Sequence, residues 1–139
     1  MQRLEELRLR FHEEPLGKLL SASLDELADG LAVVSVPASE GTTIVGGVVQ
    51  GGITTVVADY AGVYAAMTRI SAGHTPAAHI SIHFLRPIKQ GETMRARARV
   101  ENESRGSLVV SVDVYASDRP GDSGKRRACA TILFSKPRG

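Results

Sequence analysis

Residues 46–70, GGVVQGGITTVVADYAGVYAAMTRI, form the longest apolar run of the chain and decide its fold. Large apolar side chains recur here at the i, i+3, i+4, i+7 spacing of one helix face: Ile53, Val56, Val57, Tyr60, Val63, Tyr64 and Met67. The other positions are mostly Ala, Thr and Gly, and a helix that is apolar nearly all round is a buried helix. The glycines at its start predict a turn, and a single carboxylate, Asp59, lies in its middle. The stretch is too short, and too interrupted by Thr, Asp and Arg, to predict a membrane span.

Four segments after this helix alternate apolar and polar side chains, which is the period of a strand with one buried face. They are residues 77–85, 93–103, 108–116 and 127–134. The predicted inward side chains are Ala78, Ile80, Ile82, Phe84, Met94, Ala96, Ala98, Val100, Leu108, Val110, Val112, Val114, Ala128, Ala130, Ile132 and Phe134. The alanines among them leave room for a helix to lie close against the sheet.

The part of the chain before the central helix predicts one more helix and a hairpin. Leu4, Leu7 and Phe11 are spaced for a short amphipathic helix that ends before Pro15. Residues 24–37, LDELADGLAVVSVP, predict two strands joined by an Asp-Gly turn. The order helix, hairpin, buried helix and four antiparallel strands is typical of the α+β class.

Length and composition narrow the class of protein. The chain has 139 residues, which predicts one domain. A single cysteine, Cys129, excludes an internal disulfide and the multi-cysteine metal motifs, and we expect it to be a buried strand residue rather than a nucleophile. The first residues alternate charge with leucine and lack an apolar core, which predicts no signal peptide and a soluble, cytoplasmic protein.

The charge is unevenly distributed along the chain. Residues 86–139 hold 12 of the 17 Lys and Arg residues but 6 of the 15 Asp and Glu residues. This excess suits a phosphate-bearing ligand, but on charge alone a solvated strand face is the favoured explanation. Aromatic residues are few and no binding motif is present, so nucleic acid is not an expected partner. His79 and His83 are four residues apart on a strand, about 13 Å, which is too far to chelate one metal ion.

Two motifs resemble those of a known family. Val49-Gln50-Gly51-Gly52, followed seven residues later by Asp59, is similar to a His-Gly-Gly motif at the start of a central helix with a helix Asp. HISIHFLRP, residues 79–87, followed by Gly91, is similar to the same family's second long strand. Together with the element order they resemble the hotdog fold, and within it the acyl-CoA thioesterases of the phenylacetic-acid-degradation (PaaI-like) type. The resemblance implies a single hotdog domain over residues 1–139, with residues 1–20 as an N-terminal helical segment.

The resemblance also implies a catalytic site. Asp59 matches the catalytic carboxylate, Gly51 matches the glycine whose N–H holds the oxyanion, and Gln50 stands where the family usually has His. Ile44 stands about fifteen residues before the Asp, where many members carry an Asn or Gln that orients the thioester carbonyl. Unpaired N–H groups at a helix N-terminus suit a developing oxyanion, and a carboxylate acts as general base or nucleophile. No metal or cofactor is implied other than coenzyme A as part of the substrate.

The distance between the two principal residues predicts the oligomeric arrangement. Gly51 and Asp59 are eight residues apart, about 12 Å along one helix. Both groups must come within about 3 Å of one reacting carbonyl and its water. We therefore expect Asp59 to work opposite Gly51 of a neighbouring subunit, in a homodimer or a dimer of dimers.

Further residues are candidates for substrate binding: Gly52, Thr55, Arg86, Lys89 and Arg105. The basic residues would bind CoA phosphates, and Gly52 would let the substrate approach the backbone. Thr55 is a candidate for lining an acyl pocket, but core packing is its favoured role. Two other functions fit the same fold: a non-catalytic module that binds acyl-CoA, and a dehydratase, although that chemistry usually needs a His beside the carboxylate.

Overall fold

The computed structural model describes residues 2–137, and within them a long helix packs against a curved antiparallel sheet. The elements in chain order are α1 (Gln2–Glu13), α2 (Pro15–Leu20), β1 (Ser23–Ala28), β2 (Leu31–Pro37), a 3-10 turn (Glu40–Thr42), α3 (Gly51–Met67), β3 (Ala77–Phe84), β4 (Thr93–Glu103), β5 (Ser107–Ser117) and β6 (Lys125–Ser135). The predicted order of elements is confirmed. The central helix is shorter than the apolar stretch, because residues 46–50 form the turn that leads into it.

The six strands form one sheet in the order β1-β2-β4-β5-β6-β3, with every neighbouring pair antiparallel. The hairpin β1–β2 turns at the predicted Asp-Gly pair, and β4 has the predicted bounds. The strand β3 pairs with β6 on one side only, so among residues 2–137 its other edge has no strand partner. An edge of this kind offers unpaired backbone groups to a second chain.

The core lies between α3 and the inner face of the sheet. Burial alternates along β5 residue by residue, and the inward side chains of β4, β5 and β6 are buried apart from the half-buried Val100. The small inward residues allow a close approach: a Cβ built on Gly62 of α3 would lie 2.9 Å from Cδ1 of Ile132 on β6. The expectation that the sheet holds the helix at short distance is confirmed.

The two N-terminal helices cover the other side of α3. The ring of Phe11 packs against Tyr60 and Tyr64, with centroids 5.0 and 5.2 Å away. The hydroxyl of Tyr64 donates a 2.5 Å hydrogen bond to Glu14, which lies between α1 and α2. Aromatic packing and one partly buried hydrogen bond thus attach the N-terminal segment to the central helix.

Two predictions about burial are wrong, and the sheet order explains the first. Ala78 and Phe84 were expected to face inward, but both are exposed, and Ile80 and Ile82 are only half-buried. The strand β3 lies at the edge of the sheet, where α3 covers it incompletely, and its register shifts between Ala77 and His79.

The second correction concerns Cys129. It was expected to be buried, but it is only half-buried. Its neighbours Ala128 and Ala130 point towards the helix, so the alternation of β6 places Cys129 on the opposite face of the sheet.

Candidate active site

The N-terminus of α3 is held by the residue that precedes it. Gln50 is the N-cap, with an extended backbone, and its side-chain Oε1 accepts a 2.6 Å hydrogen bond from the N–H of Gly52. The backbone N–H of Gln50 donates to Thr42, which fixes the turn before the helix. Within residues 2–137 the N–H of Gly51 has no hydrogen-bond acceptor. One donor at the positive end of α3 is therefore free for a ligand.

A cleft of about 310 Å³ opens beside this free donor, and we call it the Gly51 cleft. It is lined by Val48, Val49, Gly51, Thr54, Phe84, Leu85, Arg86, Pro87, Ile88 and Arg127. The ring of Phe84, which is 56% exposed, lies directly over Gly51, since a Cβ built on Gly51 would be 3.2 Å from Cζ of that ring. Glycine at this position therefore leaves space between the helix start and the aromatic ring.

Asp59 is partly withdrawn from solvent two turns further along α3. Its Oδ1 atom is buried and finds no hydrogen-bond partner in the described part of the chain. Burial raises the pKa of this carboxyl, and the nearby charge of His74 acts in the opposite direction. An unpartnered buried carboxylate oxygen is uncommon in native structures and calls for an explanation.

One protomer does not bring Gly51 and Asp59 together. Both lie on α3, eight residues and so about 12 Å apart along its axis. Asp59 is not among the residues that line the Gly51 cleft. Gly51 and Asp59 are thus both present on α3, but they lie on different turns of that helix.

The structure places the candidate substrate-binding residues in different surroundings. Arg86 lines the Gly51 cleft, and Lys89 is exposed on the same segment. The hydroxyl of Thr55 donates a 2.9 Å hydrogen bond to the carbonyl of Gly51 and is thereby engaged within the helix. Arg105 lies in the turn between β4 and β5, at the end of the sheet opposite to that of Arg86.

Sequence reasoning missed three residues around the site. Phe84 was assigned to the core, while Arg127 and Glu92 received no role. Arg127 lines the cleft and forms a 2.6 Å ion pair with Glu92 across 35 residues of chain. No local sequence pattern predicts an ion pair between residues so far apart in the chain. The alternation of β3 predicted that Phe84 lies on the helix side of the strand. The structure shows that its ring lies over Gly51.

Residues 2–137 lack two features that would indicate other functions. This range contains no group of three or more His, Cys, Asp or Glu side chains placed to hold a metal ion. None of the helices described is long and apolar enough to cross a membrane.

The fold and the cleft define a hotdog protein with a candidate ligand site at the start of its central helix. The model of the thioesterase superfamily matches residues 46–121, which include that helix and the three strands β3, β4 and β5. The chain belongs to the thioesterase superfamily. This membership supports hydrolysis of acyl thioesters as its general chemistry.

Individual relatives agree with this assignment. A protein of Saccharolobus solfataricus that is provisionally named an esterase is 32% identical over 110 residues, which is 78% of this chain and 76% of the relative. A variant of the phenylacetic acid degradation protein PaaI of Thermus thermophilus is 27% identical, covers 89% of this chain and 100% of its own, and has a TM-score of 0.79. The PaaI protein of E. coli is 20% identical with a TM-score of 0.84, covers 98% of this chain and 97% of its own, and shows the likeness of fold.

Proposed function

We propose that the protein is an acyl-CoA thioesterase, which hydrolyses an acyl-CoA thioester to the free acid and CoA in a site shared between subunits. The observation that carries the proposal is that Gly51 lines the cleft and that its N–H has no acceptor within residues 2–137. A donor fixed at the positive end of a helix stabilises the negative charge that develops on a thioester carbonyl oxygen.

The remaining steps follow from Asp59 and Gln50. Water attacks the carbonyl carbon while Asp59 takes its proton, the electron pair moves onto the oxygen bound by Gly51, and the tetrahedral intermediate then expels the CoA thiolate. In the second form of the mechanism, the carboxylate of Asp59 attacks the carbonyl carbon and expels the CoA thiolate, and water then hydrolyses the resulting mixed anhydride to the free acid and the Asp59 carboxylate. Because Oε1 of Gln50 is bonded to Gly52, the amide Nε2 is the end that donates to the substrate carbonyl.

The shared site follows from the spacing on α3. A two-fold axis that sets two α3 helices side by side places Asp59 of each copy opposite Gly51 of the other, which gives two sites per dimer. The open edge of β3 supports such pairing, as does the buried Oδ1 of Asp59, which lacks a partner within residues 2–137. The assembly in this proposal is a homodimer or a dimer of dimers.

The substrate's CoA moiety has candidate ligands near the cleft. Arg86 and Lys89 bind its phosphates, and the close backbone at Gly52 admits the thioester. Thr55 contributes to the site through its hydrogen bond to the carbonyl of Gly51. Arg105 lies at the opposite end of the sheet from Arg86, so it reaches a cleft only on a neighbouring subunit. The proposal requires no metal or cofactor other than CoA, includes no nucleic acid or membrane partner, and places the protein in the cytoplasm.

A panel of acyl-CoAs tests the proposal through release of free thiol. We expect turnover of at least one thioester, and a loss of about 10²–10⁴-fold in kcat for Asp59→Asn, the usual range for removing a general base. Activity that survives this substitution would remove the proposed role of Asp59.

Mixed oligomers test whether the site is shared. Asp59→Asn and Gly51→Val chains should each be inactive alone, and refolding them together in equal amounts should restore about a quarter of the wild-type activity, because half of the random dimers hold one intact site of two. No recovery in confirmed mixed dimers would place both residues in one subunit's site.

The second candidate is a non-catalytic module that binds acyl-CoA. Ile44 motivates it, because an exposed apolar side chain stands where a carbonyl-orienting amide is expected. Calorimetry that detects acyl-CoA binding, together with no turnover of any thioester, would favour this function.

A further inference from the structure

Arg127 has every guanidinium donor engaged. Nε donates to the carbonyl of Lys125 at 3.2 Å, and Nη1 donates to the carbonyl of Pro87 at 2.7 Å and to Oε1 of Glu92 at 3.0 Å. Nη2 donates to Oε2 of Glu92 at 2.6 Å and to the carbonyl of Ala116 at 2.9 Å. These five hydrogen bonds account for the five N–H groups of an arginine.

The segment joined by these bonds is one wall of the Gly51 cleft. The main-chain N–H groups of Leu85 and Arg86 donate to the carbonyl of Arg127 at 2.7 and 3.1 Å, and the side chain of Arg127 bonds Pro87. Glu92 closes the segment, since its Oε1 also accepts a 2.8 Å hydrogen bond from the N–H of Lys89. Residues 85–92 are thus fixed at both ends by Arg127 and its counterion.

The pair is well shielded from water. The side chains of Arg127 and Glu92 are each 14% exposed, whereas the other ion pairs of residues 2–137 each have at least one side chain that is more open. The bonds from Arg127 are the main reason that the pKa of Glu92 lies below its ordinary value. A bidentate pair in such a setting has defined geometry as well as charge.

We propose that Arg127 and Glu92 are positioning residues, which hold the wall formed by residues 85–92 so that Arg86 faces the ligand in the Gly51 cleft. The identity of that ligand rests on the proposed function. Arg127 lines the cleft but is not itself a ligand for the CoA phosphates, because all its donors are used and a phosphate would have to displace Glu92. Arg86 donates to the carbonyl of Arg126 at 3.0 Å and is exposed, so it is the arginine that meets the anion.

The Arg127→Lys variant tests whether Arg127 positions the wall of the Gly51 cleft or binds the CoA phosphates directly. Lysine keeps the charge but has three donors on one nitrogen, so it cannot join Lys125, Pro87, Glu92 and Ala116 at once. We expect KM for an acyl-CoA to rise by roughly tenfold or more, since small displacements of binding groups have effects up to about 10²-fold, with a smaller change in kcat. A KM equal to that of the wild type in a folded variant would overturn the positioning role.

Glu92→Gln provides a second variant that retains an acceptor, and Asp113→Asn is the matched control. Asp113 pairs with Arg126, the neighbour of Arg127, at 3.1 Å on the solvent-facing side of the sheet, and its loss should leave KM unchanged. An acyl-pantetheine substrate, which lacks the adenosine phosphates, should show little of the KM increase in Glu92→Gln. An equal increase for both substrates would show that the pair does not act through Arg86.

Hydrogen exchange separates failure of this inference from failure of the proposed function. In Glu92→Gln and Arg127→Lys, amides of residues 85–89 should exchange faster than in the wild type by about tenfold or more, while those of β4 stay protected. Asp113→Asn should exchange as the wild type does. If the wild type hydrolyses no thioester, the proposed function fails, and this exchange result still decides whether the pair holds the wall.

Discussion

The side-chain Oε1 of Gln50 accepts a 2.6 Å hydrogen bond from the N–H of Gly52, and Gly51, between them, keeps its own N–H free of any acceptor within residues 2–137. One residue thus caps α3 and at the same time leaves the adjacent donor available. Because Oε1 is the atom bonded to Gly52, the amide Nε2 is the end of the Gln50 side chain that remains as a donor.

The role of this cap can be separated from a catalytic role. Gln50→Ala should lower the free energy of unfolding by about 0.5–2 kcal/mol, the usual cost of losing an N-cap side chain. Gln50→Asp supplies a preferred cap acceptor but no amide donor, so it should recover stability without recovering kcat. Chemical denaturation and thioester kinetics on the two variants check this, and full activity in a stable Gln50→Asp protein would exclude a contribution from the amide.

The contact between Gly51 and Phe84 predicts an effect on activity rather than on folding. Gly51 is at the first position of α3, where alanine is favourable for the helix, but the added Cβ would lie 3.2 Å from the ring. We expect Gly51→Ala to reduce kcat/KM while the melting temperature is kept. Adding Phe84→Ala in the same chain should restore part of the loss, and the absence of any rescue would mean that the ring does not control access to the N–H.

The pKa of Asp59 predicts how stability depends on pH. Because burial raises this pKa above its ordinary value of 3.8, the native state binds the proton more tightly than the unfolded state, and this carboxyl lowers stability as pH rises through that window. The loss of stability is complete above the pKa of Asp59 in the native state and absent below its pKa in the unfolded state. Asp59→Asn should therefore raise the free energy of unfolding near neutral pH and leave it unchanged at pH below 3.8.

Activity should depend on the same ionisation of Asp59, but it should rise with pH where stability falls. In the proposed mechanism the ionised carboxylate is the base or nucleophile, so kcat should fall as pH decreases through the raised pKa of Asp59. A pH–rate profile on the wild type measures this limb. A rate that stays constant down to pH 3.8 would show that the carboxylate of Asp59 is not required in its charged form.

Two tyrosines of α3 form a matched pair for a stability test. Tyr64→Phe removes the 2.5 Å hydrogen bond to Glu14 and should cost about 1.5–3 kcal/mol, the range for a hydrogen bond to a charged group. The buried Tyr60 hydroxyl makes no hydrogen bond of normal geometry in the described residues, although the backbone of Gly17 lies close enough to lower its pKa, so Tyr60→Phe should cost less stability than Tyr64→Phe. Urea unfolding of both variants makes the comparison, and equal losses would contradict this account of the N-terminal segment.

The elements with a clear period could be predicted from sequence alone. The alternation at residues 93–103 gave β4 with its observed bounds, and the glycines before Ile53 located the start of α3. The exposure of Phe84 could not be predicted in this way, because it depends on β3 pairing with β6 at the edge of the sheet. An alternating pattern indicates which side a residue faces, and the sheet order decides whether anything covers that side.

The candidate site was predictable only where local sequence builds it. The helix start with Gly51 is local, and both Gln50 and Gly52 lie next to it in the chain. The bonds of Arg127 join it to Pro87, Glu92 and Ala116 on separate segments, and only the folded topology brings these together. Asp59 was singled out as a lone carboxylate on an apolar helix, but the burial of its Oδ1 atom depends on packing.

The short distance between Gly62 and Ile132 has a consequence for substrate choice. At this contact in the described residues, α3 lies too close to the sheet for a hydrocarbon tail to pass between them. In the proposed shared site, the tail of a thioester would instead run along the outside of α3, in the seam where two copies would meet. Selection among short, long and ring-bearing acyl groups would then be set by the side chains of that seam, so substitutions there can change chain-length preference without disturbing the core.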